Sequence, residues 1–244
     1  VSTIAYDKPV RDLIAGLDAT GHVSHRSYRK TSVTLHHNGG RLSHQGVLDV
    51  WKVREASAHF DVDAAGEVAQ YVRLAEYAWA TGSTIGNQTS ISIEMANSTL
   101  APIWGVSTTT WQGAARLTGW LFAKVIGVRP SPSNFFVHSH WYSTACAGPA
   151  IQSAWSPIMA AAQAAYDAFK SGKPLTPVPP TRRKARKMYL VRGTNKGPKV
   201  YLTNGITKRW IESEDQLKEL TKLLELPPVK VMAQFTLDAI PEVK

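Results

Sequence analysis

The sequence predicts an α/β domain, a central mixed β-sheet with flanking helices, followed by a small α+β module. Three observations carry that expectation. Short apolar strands alternate with amphipathic helices over the first 170 residues. Within Ser90–Ala96, Ile91, Ile93 and Met95 alternate with Ser92 and Glu94, the period of two that a strand requires. The composition then changes abruptly, from a histidine-bearing part to a proline-rich stretch and a basic, histidine-free end. A length of 244 residues suits one to two domains, and 43% hydrophobic with 19% charged residues excludes wholesale disorder.

Taken in order, Val33–His37 is a short apolar strand and Ser43–Arg54 a helix. Ala58–Val62 and Glu67–Val72 flank an Ala-Ala-Gly turn as the arms of a hairpin. Ser90–Ala96 is the next strand. Ser107–Val125 is helical, with Trp111, Ala114, Thr118, Leu121 and Val125 on one face and Thr109 with Gln112 as a capping box. Phe135–Val137 is a short strand, and Pro149–Phe169 an alanine-rich helix.

Residues 170–181 then hold four prolines, and Arg182–Lys187 adds five positive charges in six positions. Proline fixes φ and removes a donor, so residues 170–187 read as a stiff linker between a larger domain at 1–169 and a module at 188–244. In that module Met188–Arg192, Val200–Thr203, Ile206–Ile211 and Val229–Phe235 read as strands. Ser213 and Gln216 open a helix through Leu217, Leu220 and Leu224.

Residues 181–244 hold 14 Lys and Arg against 7 Asp and Glu, whereas all eight histidines lie at or before His140. The asymmetry predicts two jobs, the basic part meeting a polyanion such as nucleic acid, anionic lipid or a wall polymer. Neither a membrane span nor a signal peptide is expected: no run of eighteen apolar residues exists, and Val1–Thr20 has scattered charges without an apolar core. The single cysteine, Cys146, excludes an internal disulfide and must be buried, reactive or metal-bound.

His36 ends one apolar strand, His138 follows another, and Cys146 lies eight residues further on. Strand ends are rigid positions from which imidazoles can be aimed. Two histidines and a thiolate would give zinc three protein ligands and leave a fourth position open. A nucleophilic role for Cys146 is the alternative, although no histidine follows it in the chain. Glu94 is the polar member of an apolar strand, either an ordinary solvated carboxylate or a proton acceptor facing the histidines.

Several separated blocks then resemble one family. They are Thr34–Asn38, Ser57–Phe60 followed by Gly66–Tyr71, Tyr77–Trp79 with Gly82, Asn87–Glu94, and the spacing of His138 and Cys146. Over about residues 30–160 the chain resembles the zinc-dependent N-acetylmuramoyl-L-alanine amidases of the type-2 amidase and peptidoglycan-recognition family, in their bacteriophage endolysin form. The resemblance implies Zn2+ held by His36, His138 and Cys146. It implies Glu94 as general base for a zinc-activated water attacking the lactyl carbonyl of N-acetylmuramic acid, and Thr144 as a hydrogen-bonding partner of the oxyanion. His59, Trp79 and Trp104 are the expected substrate contacts. Trp111, Trp120 and Trp155 are expected to pack in the core.

His37 is expected to point away from His36 across the strand, and His140 falls two residues outside the family spacing. Ala58, Ala80 and Thr144 depart from a tyrosine, a histidine and a lysine that some members use at those places. Those departures leave Glu94 a larger catalytic share. Two other readings stay open: a non-catalytic peptidoglycan-binding protein, which typically lacks the cysteine, and a zinc peptidase cutting within the stem peptide. Endolysins accumulate in the host cytoplasm until released to the wall, which would reconcile a wall substrate with the lack of a signal peptide.

Overall fold

The computed structural model describes residues 6–172 and, beyond them, 189–193, 200–203, 208–211, 214–215, 217–218 and 230–232. The chain forms two compact units, Val1–Val178 and Pro179–Lys244.

In the first unit the elements run β1 (Val10–Asp12), α1 (Ile14–Asp18), β2 (Val23–Ser24), β3 (Ser32–Leu35), α2 (His44–Val53), β4 (Phe60–Val62) and β5 (Val68–Gln70). They continue with β6 (Tyr77–Ala78), α3 (Thr84–Thr89), β7 (Ser90–Met95), α4 (Thr108–Leu121), β8 (Phe135–Val137), α5 (Gly148–Ser153) and α6 (Trp155–Ser171). Six strands make one mixed sheet in the order β1-β5-β4-β7-β3-β8. Strands β4, β7, β3 and β8 are mutually parallel, β5 is antiparallel to β4, and β1 is parallel to β5. A separate ribbon pairs β2 with β6.

Strand alternation gives this sheet two unlike faces. Val33, Leu35, Phe60, Val62, Ile91, Ile93, Met95 and Phe135 pack against Ala114, Leu117 and Leu121 of α4 and Ile158 and Ala162 of α6. The opposite face is buried yet polar. There the Thr34 and Ser90 hydroxyls share a hydrogen bond of 2.6 Å, and the Trp141 Nε1–H donates to Thr34 Oγ1 at 2.8 Å. Helix α2 lies over that face, with Val47, Leu48 and Trp51 joining Leu17, Ala69 and Tyr71 in a second apolar cluster. Buried polar groups are tolerable only when hydrogen-bonded, so unpaired ones on this face mark where a ligand belongs.

The structure corrects several boundaries. Helix α4 is capped by Ser107, whose Oγ accepts from the Thr110 N–H at 3.1 Å; it begins one residue later, so Thr109 lies inside the first turn and is not the cap. Its end runs into a π-turn over Phe122–Ile126, which rotates Val125 to 37% exposure and off the face shared by Ala114, Thr118 and Leu121. The alanine-rich segment is two helices meeting at Ala154. Asn87 belongs to α3, so the strand that bears Glu94 starts at Ser90.

In the second unit β9 (Tyr189–Gly193), β10 (Val200–Thr203), β11 (Lys208–Ile211) and β12 (Lys230–Met232) form a sheet in the order β11-β10-β9-β12. The expected helix positions Leu220 and Leu224, and most of the expected linker, lie outside the described residues. No helix among the described residues is long and apolar enough to cross a membrane.

Candidate metal centre and cleft

The parallel register explains how distant residues meet. Leu35 of β3 is opposite Ile93 of β7 and Val137 of β8, and Asp61 of β4 is opposite Glu94 of β7. One step past Leu35, the His36 N–H still donates to the Ile93 carbonyl at 2.9 Å. At the carboxyl ends of the four parallel strands the polar face therefore reads Asp61, Glu94, His36, His138 in a row. Ligand sites of open α/β sheets lie characteristically outside that edge.

His36 and His138 face each other with ring centroids 4.5 Å apart. The loop after β8 returns Cys146 to the same point, where its Sγ accepts from the His37 N–H at 3.4 Å. One donor atom from each of His36, His138 and Cys146 lies within 4.8 Å of the others. Zinc bonds of about 2.0–2.3 Å to nitrogen and sulfur span such a cluster after small rotations.

The buried atoms His36 Nε2, His138 Nε2 and Glu94 Oε2 have no hydrogen-bond partner within the protein. Three orphaned polar atoms beside one sulfur fit a metal ion and its reacting ligand better than any packing role. Burial holds His36 well below the usual imidazole range, with His138 adding to the effect, and burial lowers His138 too. Both rings are thus neutral donors at physiological pH. Burial raises the Cys146 thiol, the reverse of what an activated cysteine nucleophile requires. Burial also pushes Glu94 up to about 8, Asp61 adding to the rise and Arg54 opposing it.

A cleft of about 300 Å³ opens over this cluster, lined by the three donors and by Glu94, Trp79, Trp104 and Thr144. The Thr144 Oγ1 accepts from the Cys146 N–H at 3.2 Å, which leaves its own proton free to donate into the cleft. Trp104 stacks on His37 at 4.6 Å with the rings 19° apart. Gly148 is required behind it, at φ +80° with space for a Cβ only 2.7 Å from that of Trp104.

Two expectations fail here. His59 is not a cleft residue: it is fully buried, its Nε2 bonded to the Glu76 carbonyl at 3.1 Å and its Nδ1 accepting from the Ser92 N–H at 3.1 Å. Its ring ties β4 to β7 beneath the site. His37 does not turn away from His36; β3 has ended at Leu35, alternation no longer applies, and the ring lines the cleft. His140 stays apart, stacked on Phe136 at 3.9 Å.

Sequence reasoning missed the wall contributed by α2 and the segment after it, Val50, Trp51, Arg54 and Ser57. The signal available was a helix too apolar for one buried stripe. It also missed Asp61, fully buried with its Oδ2 2.8 Å from His44 Nδ1, although Asp61 is in phase with His59 on the polar face.

The sequence matches the family model described as N-acetylmuramoyl-L-alanine amidase over residues 23–149. Among solved structures, the catalytic domain of PlyG is 18% identical with a TM-score of 0.54, covering 70% of this chain and 99% of that one. PlyL is 18% identical with a TM-score of 0.52, covering 68% of this chain and 100% of that one. The catalytic domain of XlyA is 19% identical with a TM-score of 0.50, covering 64% and 99%. At such identities the likeness shows a shared fold. No curated protein sequence matches the chain significantly. The family match takes in all three clustered donors and the four parallel strands that present them, and by it the chain belongs to the N-acetylmuramoyl-L-alanine amidases.

Proposed function

We propose that the chain is a zinc-dependent peptidoglycan amidase of the phage endolysin kind, hydrolysing the bond between N-acetylmuramic acid and the L-alanine of the stem peptide at the bacterial cell wall. The observation that carries this reading is the convergence of His36, His138 and Cys146, two of them with orphaned buried nitrogens, beside the unpartnered Oε2 of Glu94.

When bound, zinc supplies a Lewis acid that polarises the scissile carbonyl and acidifies the attacking water. The protein's own groups do the rest. Glu94 takes the proton from that water at its carboxylate and returns it to the departing alanine nitrogen, a shuttle suited to a carboxyl raised towards neutrality. A nearby dication favours the ionised form and so readies Glu94 as the base. The Thr144 hydroxyl donates to the developing oxyanion. Trp79 and Trp104, which line the cleft, offer ring faces to the substrate and exclude water. The second unit, with its excess of Lys and Arg, attaches the enzyme to an anionic wall polymer.

Digestion of purified walls tests the reading. Free N-terminal alanine should appear together with intact stem peptides by mass. Shortened peptides would make the chain a stem-peptide peptidase, and retention on walls without any product would make it a binding protein.

A further inference from the structure

Asp61 is a buried acid to which the chemistry described above gives no task. It is fully buried in β4, and its two oxygens meet two different elements. Oδ2 lies 2.8 Å from Nδ1 of His44, in the first turn of α2, and Oδ1 accepts from Nδ2 of Asn38 at 3.4 Å. His44 is itself anchored, its carbonyl accepting from the Tyr71 hydroxyl at 2.8 Å. A carboxylate offers an acceptor to each of these groups, whereas an amide in its place would set an NH2 against one of them. Burying a carboxylate is costly unless it is paired and hydrogen-bonded, and both of these bonds are long-range ties between elements.

What they hold is the segment His36–Asn38. Past the end of β3 at Leu35 its backbone still pairs with β7: the His36 N–H donates to the Ile93 carbonyl at 2.9 Å and the Asn38 N–H to the Met95 carbonyl at 3.0 Å. Alternation along an extended chain points the intervening His37 N–H the other way, and there it donates to Cys146 Sγ at 3.4 Å. The Asn38 side chain closes the segment, its Oδ1 accepting from the Gly40 N–H at 3.1 Å while its Nδ2 reaches Asp61. Three residues thus carry one metal donor, hydrogen-bond a second, and are tied through Asn38 and Asp61 to β4 and α2.

Resting on the metal-centre reading above, we propose that Asp61 is a positioning residue for that centre: through Asn38 it locks the segment that carries the His36 ring and presents the His37 N–H to the Cys146 sulfur. Groups that orient metal ligands from behind commonly change metal affinity by about 10–100-fold when removed.

The test is zinc affinity, measured by competition with a chromophoric chelator, for the full-length wild-type chain, Asp61→Asn, Asn38→Ala and the double variant. Each single substitution should raise the zinc Kd by about tenfold or more. The double variant should lose no more than the worse single one, because both cut the same link. With Co2+ in place of zinc, the thiolate-to-cobalt charge-transfer band should lose intensity in both single variants, a change that general loss of stability does not produce in folded protein. Asn38 is only half-buried, so Asn38→Ala carries the test even where Asp61→Asn does not fold. An unchanged Kd and cobalt spectrum in Asn38→Ala, or losses that multiply in the double variant, would overturn the proposal while leaving the metal centre standing. A wild-type chain that binds no zinc overturns the metal-centre reading and this inference with it.

Discussion

Glu94 sits where stability and function pull in opposite directions. Its side chain is half-buried, yet Oε2 is sealed from solvent without a partner. Burial raises its carboxyl from 4.5 to about 8. An acid raised in the folded state binds its proton more tightly there, so the metal-free fold loses stability as pH climbs from about 4.5 to about 8, and no further above that. Glu94→Gln removes the ionisation. The metal-free variant should match the wild type at pH 4 and exceed it by a few kcal/mol at pH 9, while losing amidase activity. Denaturant unfolding at the two pH values checks this, and equal stability at both would remove the buried-charge account.

At the scale of elements, the site depends on strands held by helices behind them. Helices α4 and α6 cross so closely that a Cβ on Gly119 would lie 2.4 Å from the Ala165 Cβ and 2.7 Å from the Ala162 carbonyl oxygen. Gly119→Ala should cost about 1–3 kcal/mol through overpacking. That is a fall of several degrees in Tm, read by thermal unfolding. An unchanged Tm would show that the helix pair yields freely.

The elements most legible in the sequence were those with strong periodicity. Ser90–Met95 alternates cleanly and α2 carries its own cap at Ser43, so both were found nearly to the residue. Strands β1, β2 and β6 were not, because two or three residues carry no period and owe their pairing to neighbours distant in sequence. The same division holds for the site. His36, His138 and Cys146 were readable as donor types at strand and loop ends, and the cluster brings them together. Arg54 and Asp61 were not, since what makes each notable is its neighbour on another element. His59 looked like a groove residue because its backbone partners, Glu76 and Ser92, become neighbours only in the fold.

For the whole molecule, the uneven charge is the main clue to a division of labour. Residues 181–244 carry an excess of seven positive charges, the difference between 14 basic and 7 acidic side chains. Removing them should weaken retention on purified walls, most at low salt, where electrostatic attachment is least screened. A sedimentation assay across salt concentrations measures it; equal, salt-independent retention of the shortened chain would contradict a wall-binding role. The catalytic account itself turns on one ion shared by three side chains, which elemental analysis reads directly. Purified after exposure to zinc, the wild-type chain and Glu94→Ala should each hold about one zinc, and Cys146→Ser should lose both zinc and lytic activity. Undiminished zinc in Cys146→Ser, or none in the wild-type chain, would contradict the account.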